Sequence, residues 1–260
     1  MSVEPGTGSG RRRVALVTGS SRGLGSVIAR RLGRDGLAVA VNGLRGDPQV
    51  DEVVEAIRAE SGVAGAFAGD VTDERQAVEV VEAVAAATAA GFGPVEVLVL
   101  NATGPQPDGT VDDVTWDDHL AQLEFFVKSP LLLGRAVLPE MRARRFGRIV
   151  HIDSEVADQP PPNRSAYVTA KSAQVGLARS WARELAPLGI TVNTVAPGFI
   201  PVERHADVGD EIREAYVASV PAGRFGTPDE IAHAVSFFAS DAAAFVTGQR
   251  LVVDGGRSLG

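Results

Sequence analysis

Apolar positions along the chain follow two alternating periods. Short runs rich in apolar residues at 14–17, 37–41, 63–68, 95–100, 149–152, 190–195 and 250–253 read as strands, and the continuous run at 14–17 has the form of one buried on both faces. Between them, apolar residues return every three or four positions, the period of a helix with one buried stripe. Val27, Ile28 and Leu32 mark the first such helix, and others are expected over 50–59, 77–90 and 231–238. A helix carrying Tyr167 and Lys171 turns Ala170, Ala173, Leu177, Trp181 and Leu185 inward and ends at Pro187. Repeated strand–helix units with right-handed crossovers predict an α/β fold: a single-domain Rossmann-type doubly wound parallel sheet of about seven strands, with helices on both faces. Two segments depart from the simple alternation. The region 116–144 is helical, with a break expected near Pro130, and its apolar positions (Leu120, Leu123, Phe125, Phe126, Val127, Leu131, Val137, Leu138) exceed one stripe. That excess fits either core packing or a partner subunit. Residues 201–225 are polar, with one helical pattern over 211–220, so that 199–225 is a candidate lid over substrate.

Composition narrows the class. A length of 260 with 45% hydrophobic residues suits one domain over 12–260, preceded by a loose Gly/Ser/Pro-containing tail at 1–11 that lacks the apolar core of a signal peptide. A net charge of −8 argues against a nucleic-acid surface, and no run approaches the ~20 apolar residues of a membrane span. The absence of cysteine rules out disulfides and thiolate metal sites and fits a cytoplasmic protein. No His/Asp/Glu cluster has metal-ligand spacing, so no metal is expected.

Polar residues gather where strands end. Thr18, Asp70, Asn101, Ser154 and Pro197-Gly198 all fall just past an apolar run, which in a parallel sheet places them on one rim, where ligands bind. The first of these ends runs through Thr18-Gly19-Ser20-Ser21-Arg22-Gly23-Leu24-Gly25 into a helix, the arrangement that offers backbone N–H groups and a helix N-terminus to a pyrophosphate. The glycine spacing is not G-x-G-x-x-G. After the second strand comes Asn42-Gly43-Leu44-Arg45, with no carboxylate before Asp47 to accept a ribose 2′-hydroxyl. Arg22 and Arg45 could clamp a 2′-phosphate instead, which favours NADP(H) over NAD(H). The alternative is that both are ordinary surface charges.

Tyr167 and Lys171 lie one turn apart on one helix face. A phenol titrates near ~10 by itself, and an ammonium about 5 Å away favours the phenolate by on the order of 3 kcal/mol at an effective dielectric of ~20. The pair therefore makes a general acid, and Ser154 can hold the same substrate oxygen. A lone Tyr-x-x-x-Lys also arises by chance on helices, so the assignment leans on the rest of the rim. Glu155 either faces substrate or is solvated, His151 reads as a packed core histidine, and His205 as a surface residue in the lid.

With these residues in place the chain resembles the short-chain dehydrogenase/reductase family, nearest its 3-oxoacyl-[acyl-carrier-protein] reductase-like members, over about residues 12–257. The resemblance rests on Thr18-Gly19-x-x-x-Gly23-x-Gly25, Asn101-Ala102-Thr103-Gly104, the Ser154, Tyr167 and Lys171 spacing, and Pro197-Gly198. It implies an oxidoreductase moving a hydride between NADP(H) and a carbonyl or secondary alcohol. Tyr167 would then be general acid, Ser154 the partner of the substrate oxygen, and Lys171 the ribose ligand. It also implies cofactor contacts from Gly19, Ser21, Arg22, Gly23, Leu24, Gly25, Asn42, Arg45, Asp70, Val71, Asn101, Ala102, Tyr167, Lys171, Pro197, Gly198 and Ile200, and a homotetramer or homodimer. An epimerase of the same motif would be longer. Two positions depart from the family: Phe126 stands where a catalytic asparagine is usual, and Val202 where a threonine often holds the carboxamide. Without the asparagine the proton relay would run through Lys128 or solvent, or the chain binds NADP(H) with little or no catalysis.

Overall fold

The computed structural model describes residues 12–206 and 208–259, with the side chain of residue 204 left out; the expected tail at 1–11 lies outside the described residues. Seven strands form one parallel sheet: β1 (Val14–Val17), β2 (Ala38–Val41), β3 (Val63–Ala66), β4 (Val97–Leu100), β5 (Gly147–Ile152), β6 (Ile190–Pro197) and β7 (Arg250–Val253). Their order is β3-β2-β1-β4-β5-β6-β7. The chain winds outward from β1 to β3, then returns to place β4 on the other side of β1, with Ala15 opposite Val97. The gap between the ends of β1 and β4 is thus the point where the winding reverses, which is where such sheets hold ligands.

Period two along each strand sorts the core into two layers. Ala15 and Val17 face one side with Ile28 and Leu32 of α1 (Gly23–Arg34), Val53 and Ile57 of α2 (Gln49–Ala59), and Ile231 and Val235 of α8 (Pro228–Ala239). Val14 and Leu16 face the other with Val80 and Val84 of α3 (Glu74–Ala86), Leu133 and Val137 of α5 (Ser129–Arg144), and Ala178 and Leu185 of α6 (Ser165–Leu185). Each Leu, Ile or Val so covered stabilises the fold by about 1.5–3 kcal/mol. The continuous apolar strands are therefore the signature of a sheet covered on both faces.

Helix ends follow side-chain chemistry that hydrophobic period does not report. Asp73 caps α3 by accepting from the Gln76 N–H, which starts that helix earlier than expected. It ends at Ala86, and a separate 3₁₀ turn covers Thr88–Ala90. Thr227 and Glu230 form a capping box with Pro228 in the first turn of α8. The long helical region does run from Trp116 to Arg144, and the break expected near Pro130 is a π-helical turn at Glu124–Lys128 between α4 (Trp116–Leu123) and α5. Pro130 sits just after it, in the first turn of α5, and its missing N–H removes a donor from the continuous helix at that point. On α6 the buried line is Ala166, Ala170, Lys171, Gln174, Ala178, Ala182 and Leu185. Ala173, expected inside, is exposed.

Candidate active site

The glycine loop after β1 is built to let backbone approach backbone. Gly19 has φ of +59°, and a Cβ there would lie 2.8 Å from Ala102 Cα in the loop after β4. At Gly25 a Cβ would collide with the Gly19 carbonyl and stand 2.5 Å from Asn101 Nδ2. Asn101 itself donates from Nδ2 to the carbonyls of Thr18 and Gly19, both at 3.0 Å, and so ties β4 to the loop. Thr18 Oγ1 accepts the N–H groups of Asn101 and Ala102 at 3.0 Å. Asn42 is buried, accepts the Gly19 N–H at 3.2 Å and donates to the carbonyls of Phe67 and Gly69. Its amide holds the loop rather than reaching out to a ligand. Helix α1 begins with no side-chain cap and no acidic residue in its first turn. Its N–H groups are thus left for an anion, in contrast to α3, α4 and α8. Ser21, Gly23 and Leu24 are half-buried at its mouth.

Around this cradle, Asp70 accepts both the N–H (2.9 Å) and the hydroxyl (2.7 Å) of Thr72, closing the turn after β3, and Val71 is buried. Arg22 and Arg45 are exposed; Arg22 reaches Gln49 at 3.4 Å, and Arg45 pairs with Glu79 at 2.9 Å. Both surface pairs are weak enough to exchange for a phosphate.

At the end of β5 comes Ser154, whose Oγ accepts the Val156 N–H at 3.4 Å in a short 3₁₀ turn. Lys171, facing it from α6, is buried, and its ammonium donates to the Ile152 carbonyl at 2.7 Å and to Gln174 Oε1 at 3.3 Å. Nζ also lies 3.8 Å from the centre of the Phe126 ring and 5.7 Å from that of Tyr167. Phe126 and Tyr167 meet edge to face at 5.6 Å. The π-helical turn brings Phe126 here, so a ring and an ammonium stack beneath the tyrosine. His151, on β5 behind this group, is fully buried against Trp181 at 5.9 Å. Burial first, then Lys171, pushes its imidazole down to about 3, so it stays neutral.

A family model described as Enoyl-(Acyl carrier protein) reductase matches residues 19–258. The chain belongs to the short-chain dehydrogenase/reductase family. It is 37% identical to the 3-oxoacyl-[acyl-carrier-protein] reductase FabG of Staphylococcus aureus (strain N315), covering 93% of this chain and 96% of that protein. Against the reductase of the same name from Escherichia coli (strain K12) identity is 39%, covering 94% and 96%. Among solved structures, a 3-oxoacyl-(acyl-carrier-protein) reductase from Agrobacterium tumefaciens C58 with NADP bound superposes with a TM-score of 0.86 at 34% identity, covering 94% of each chain. A gluconate 5-dehydrogenase from Burkholderia cenocepacia J2315, in complex with NADP and tartrate, gives 0.89 at 30% identity, covering 96% of each. The chain is accordingly an NAD(P)-dependent type of oxidoreductase by family.

Within this short-chain dehydrogenase/reductase frame, several residues behave differently from their sequence reading. Lys128, considered for a proton relay, pairs with Glu124 at 3.3 Å on the exposed side of the π-helical turn. Glu155 is neither solvated nor open to substrate: it is buried, and its Oε1 accepts the Tyr216 hydroxyl at 3.0 Å and pairs with Arg257 at 3.2 Å. Burial pushes its carboxyl up, opposed chiefly by Arg257. His205 is half-buried, its ring tilted against that of Phe199 at 4.7 Å. The segment after β6 is anchored by an aromatic cluster, although α7 (Asp210–Ala218) buries none of its residues. Past Pro197-Gly198, the Phe199 N–H donates to the Tyr216 hydroxyl at 2.6 Å, and Phe199, Tyr216 and Phe225 form a ring cluster around α7. Ile200 enters the core below. Val202 lies beside Gly23, its Cγ2 3.8 Å from where a Cβ would stand. Sequence reasoning missed Phe126 as a contact of Lys171, and also Gln174, Tyr216, Asp153, Arg250 and Arg257; the acidic residues flanking Ser154 were the only signal toward the last group. A cavity of about 350 Å³ between Gly109, Val111, Pro161 and Asn163 opens beside Val168 and Thr169, off the Tyr167–Lys171 cluster.

Proposed function

We propose that this chain is an NADP(H)-dependent reductase that interconverts a small-molecule carbonyl and its secondary alcohol. The observation that carries the reading is Lys171 Nζ held 5.7 Å from the Tyr167 ring by Ile152, Gln174 and Phe126, on the rim that also bears Ser154. Catalytic roles fall to Ser154, Tyr167 and Lys171. Dinucleotide contacts fall to Gly19, Ser21, Arg22, Gly23, Leu24, Gly25, Arg45, Asp70, Val71, Asn101, Ala102, Pro197, Gly198 and Ile200, with Asn42 acting through the loop it holds. The cradle fits the group: α1 opens uncapped and free of acid in its first turn, and Gly19 and Gly25 let the loop close against Ala102 and Asn101 without a Cβ in the way. Bound there, the dinucleotide supplies the hydride. Tyr167 gives its proton to the carbonyl oxygen, Ser154 Oγ donates a hydrogen bond to that oxygen, and Lys171 favours the charge left on the phenol.

NADP(H) is preferred because no carboxylate occupies the five positions after β2, before Asp47, and because Arg22 and Arg45 are available at the surface; two related structures are described with NADP. Relatives named for 3-oxoacyl and gluconate substrates support a carbonyl or alcohol and leave its identity to assay. A homodimer or homotetramer fits the exposed Trp116, Leu120 and Leu131 of α4 and α5. A cytoplasmic setting fits the cysteine-free chain, and among the described residues no helix is long and apolar enough to cross a membrane. Phe126 favours a second reading, dinucleotide binding without useful turnover. Fluorescence titration with NADPH and NADH, followed by NADPH consumption against a panel of ketones, separates the two. Tighter NADPH binding with turnover of any panel member supports the reductase; binding with no turnover of any supports the second reading.

A further inference from the structure

Ser154 stands between two buried carboxylates, each neutralised by an arginine from the last strand or the turn after it. The Asp153 side chain is wholly covered, and its Oδ2 accepts Arg250 Nε at 2.6 Å. The same guanidinium donates from Nη2 to the Ser154 carbonyl at 2.8 Å and from Nη1 to the Asp158 carboxylate. Three donor directions of one planar fork thus reach three points on the turn that carries Ser154. Arg250 opens β7 in register with Thr194 of β6, so the fork projects from the sheet rather than from a loop. On the other flank, Glu155 holds Arg257 and the Tyr216 hydroxyl, and Arg257 also lies over the Tyr216 ring at 4.9 Å.

Neighbouring buried carboxylates repel each other and resist burial, so each must be compensated. A turn meant only to reverse the chain needs neither. The useful consequence of this arrangement is orientation: Arg250 fixes the Ser154 main chain from below, and the Glu155–Tyr216 bond fixes the next residue to α7 and, through Phe199, to the strip after Pro197-Gly198. We propose that Arg250 is a positioning residue for Ser154, with Arg257 its counterpart through Glu155. This assignment rests on the reductase reading.

The test compares the full-length wild type with Arg250→Gln, Arg250→Lys and the charge-neutral pair Asp153→Asn/Arg250→Gln. Steady-state kcat with an accepted ketone and NADPH affinity by fluorescence are measured for each. Misplacing a catalytic group by about 1 Å costs on the order of 10²-fold. Arg250→Gln should therefore lower kcat by roughly that factor while NADPH affinity changes by less than about threefold. Arg250→Lys, which keeps charge but not the fork, should fall between, and the neutral pair, which also lacks the bond to the Ser154 carbonyl, should stay about as low as Arg250→Gln. A kcat for Arg250→Gln within about twofold of wild type, a parallel loss of NADPH binding, or recovery of the pair to near wild type, which would trace the loss to the unpaired Asp153 charge, overturns the proposal. If Arg250→Gln fails to fold, Arg250→Lys and the neutral pair decide alone. If wild type reduces nothing, the reductase reading fails first. The positioning role is then judged by the crystal structure of Arg250→Lys: a shift of Ser154 Oγ by about 1 Å relative to Tyr167 supports it, and an unmoved Oγ overturns it.

Discussion

Phe126 is where the residues of this site depart furthest from expectation. In place of an amide that could hold water, an aromatic face lies 3.8 Å from the Lys171 ammonium. A desolvated cation on a ring is stabilised by about 2 kcal/mol, which compensates part of the cost of burying Lys171. Phe126→Leu keeps most of the volume and removes the face, so kcat should fall by about tenfold with NADPH affinity unchanged. An unchanged kcat would mean that the ring only fills space. His151 permits a second prediction at this scale. Its folded-state pKa, about 3, lies below the ordinary 6.5. The unfolded chain therefore takes up the proton first, and stability is complete above pH 6.5 and declines as pH falls toward 3. Melting temperature between pH 7 and pH 5 should drop more steeply for wild type than for His151→Leu. Equal slopes would remove His151 as the cause.

Among the elements, the first strand–loop–helix unit is, on the proposed reading, the one that governs cofactor binding, through close approach. A methyl at Gly25 has no room against Gly19 and Asn101 Nδ2. Gly25→Ala should thus weaken NADPH binding by tenfold or more and lower the melting temperature, both readable by thermal shift with and without dinucleotide. The strands themselves were legible in the sequence because a sheet covered on both faces leaves continuous apolar runs, as in Val14–Val17 and Val97–Leu100. Helix limits were less so, since Asp73 and Thr227 set them by hydrogen bonds that the apolar period does not carry. The π-helical turn at Glu124–Lys128 was marked in the sequence only by Pro130 just beyond it and by too many apolar positions. Glu155 and Asp153 were misread or passed over because their arginines lie 102 and 97 positions away (257 − 155; 250 − 153) and meet them only once β6 and β7 are paired.

For the whole molecule, the rim formed by the carboxyl ends of β1, β4, β5 and β6 gathers the glycine loop, Asn101, Ser154 and Pro197-Gly198, as their positions after apolar runs implied. Apolar side chains also remain uncovered on opposite sides of the sheet, Trp116 and Leu131 on one and Phe237, Phe245 and Leu251 on another. Light scattering coupled to size exclusion should give an assembly larger than the 27.1 kDa chain, and Leu131→Glu should shift it toward smaller species; a wild-type monomer would contradict the subunit-contact reading. The central claim is that the Tyr167 hydroxyl, set against Lys171, delivers the proton in carbonyl reduction. Its most direct measurement is NADPH consumption by Tyr167→Phe with a ketone that the wild type reduces, alongside NADPH binding by the same variant. The account predicts turnover lowered by on the order of 10³-fold or more with binding retained; a variant that turns over at near wild-type rate would contradict it.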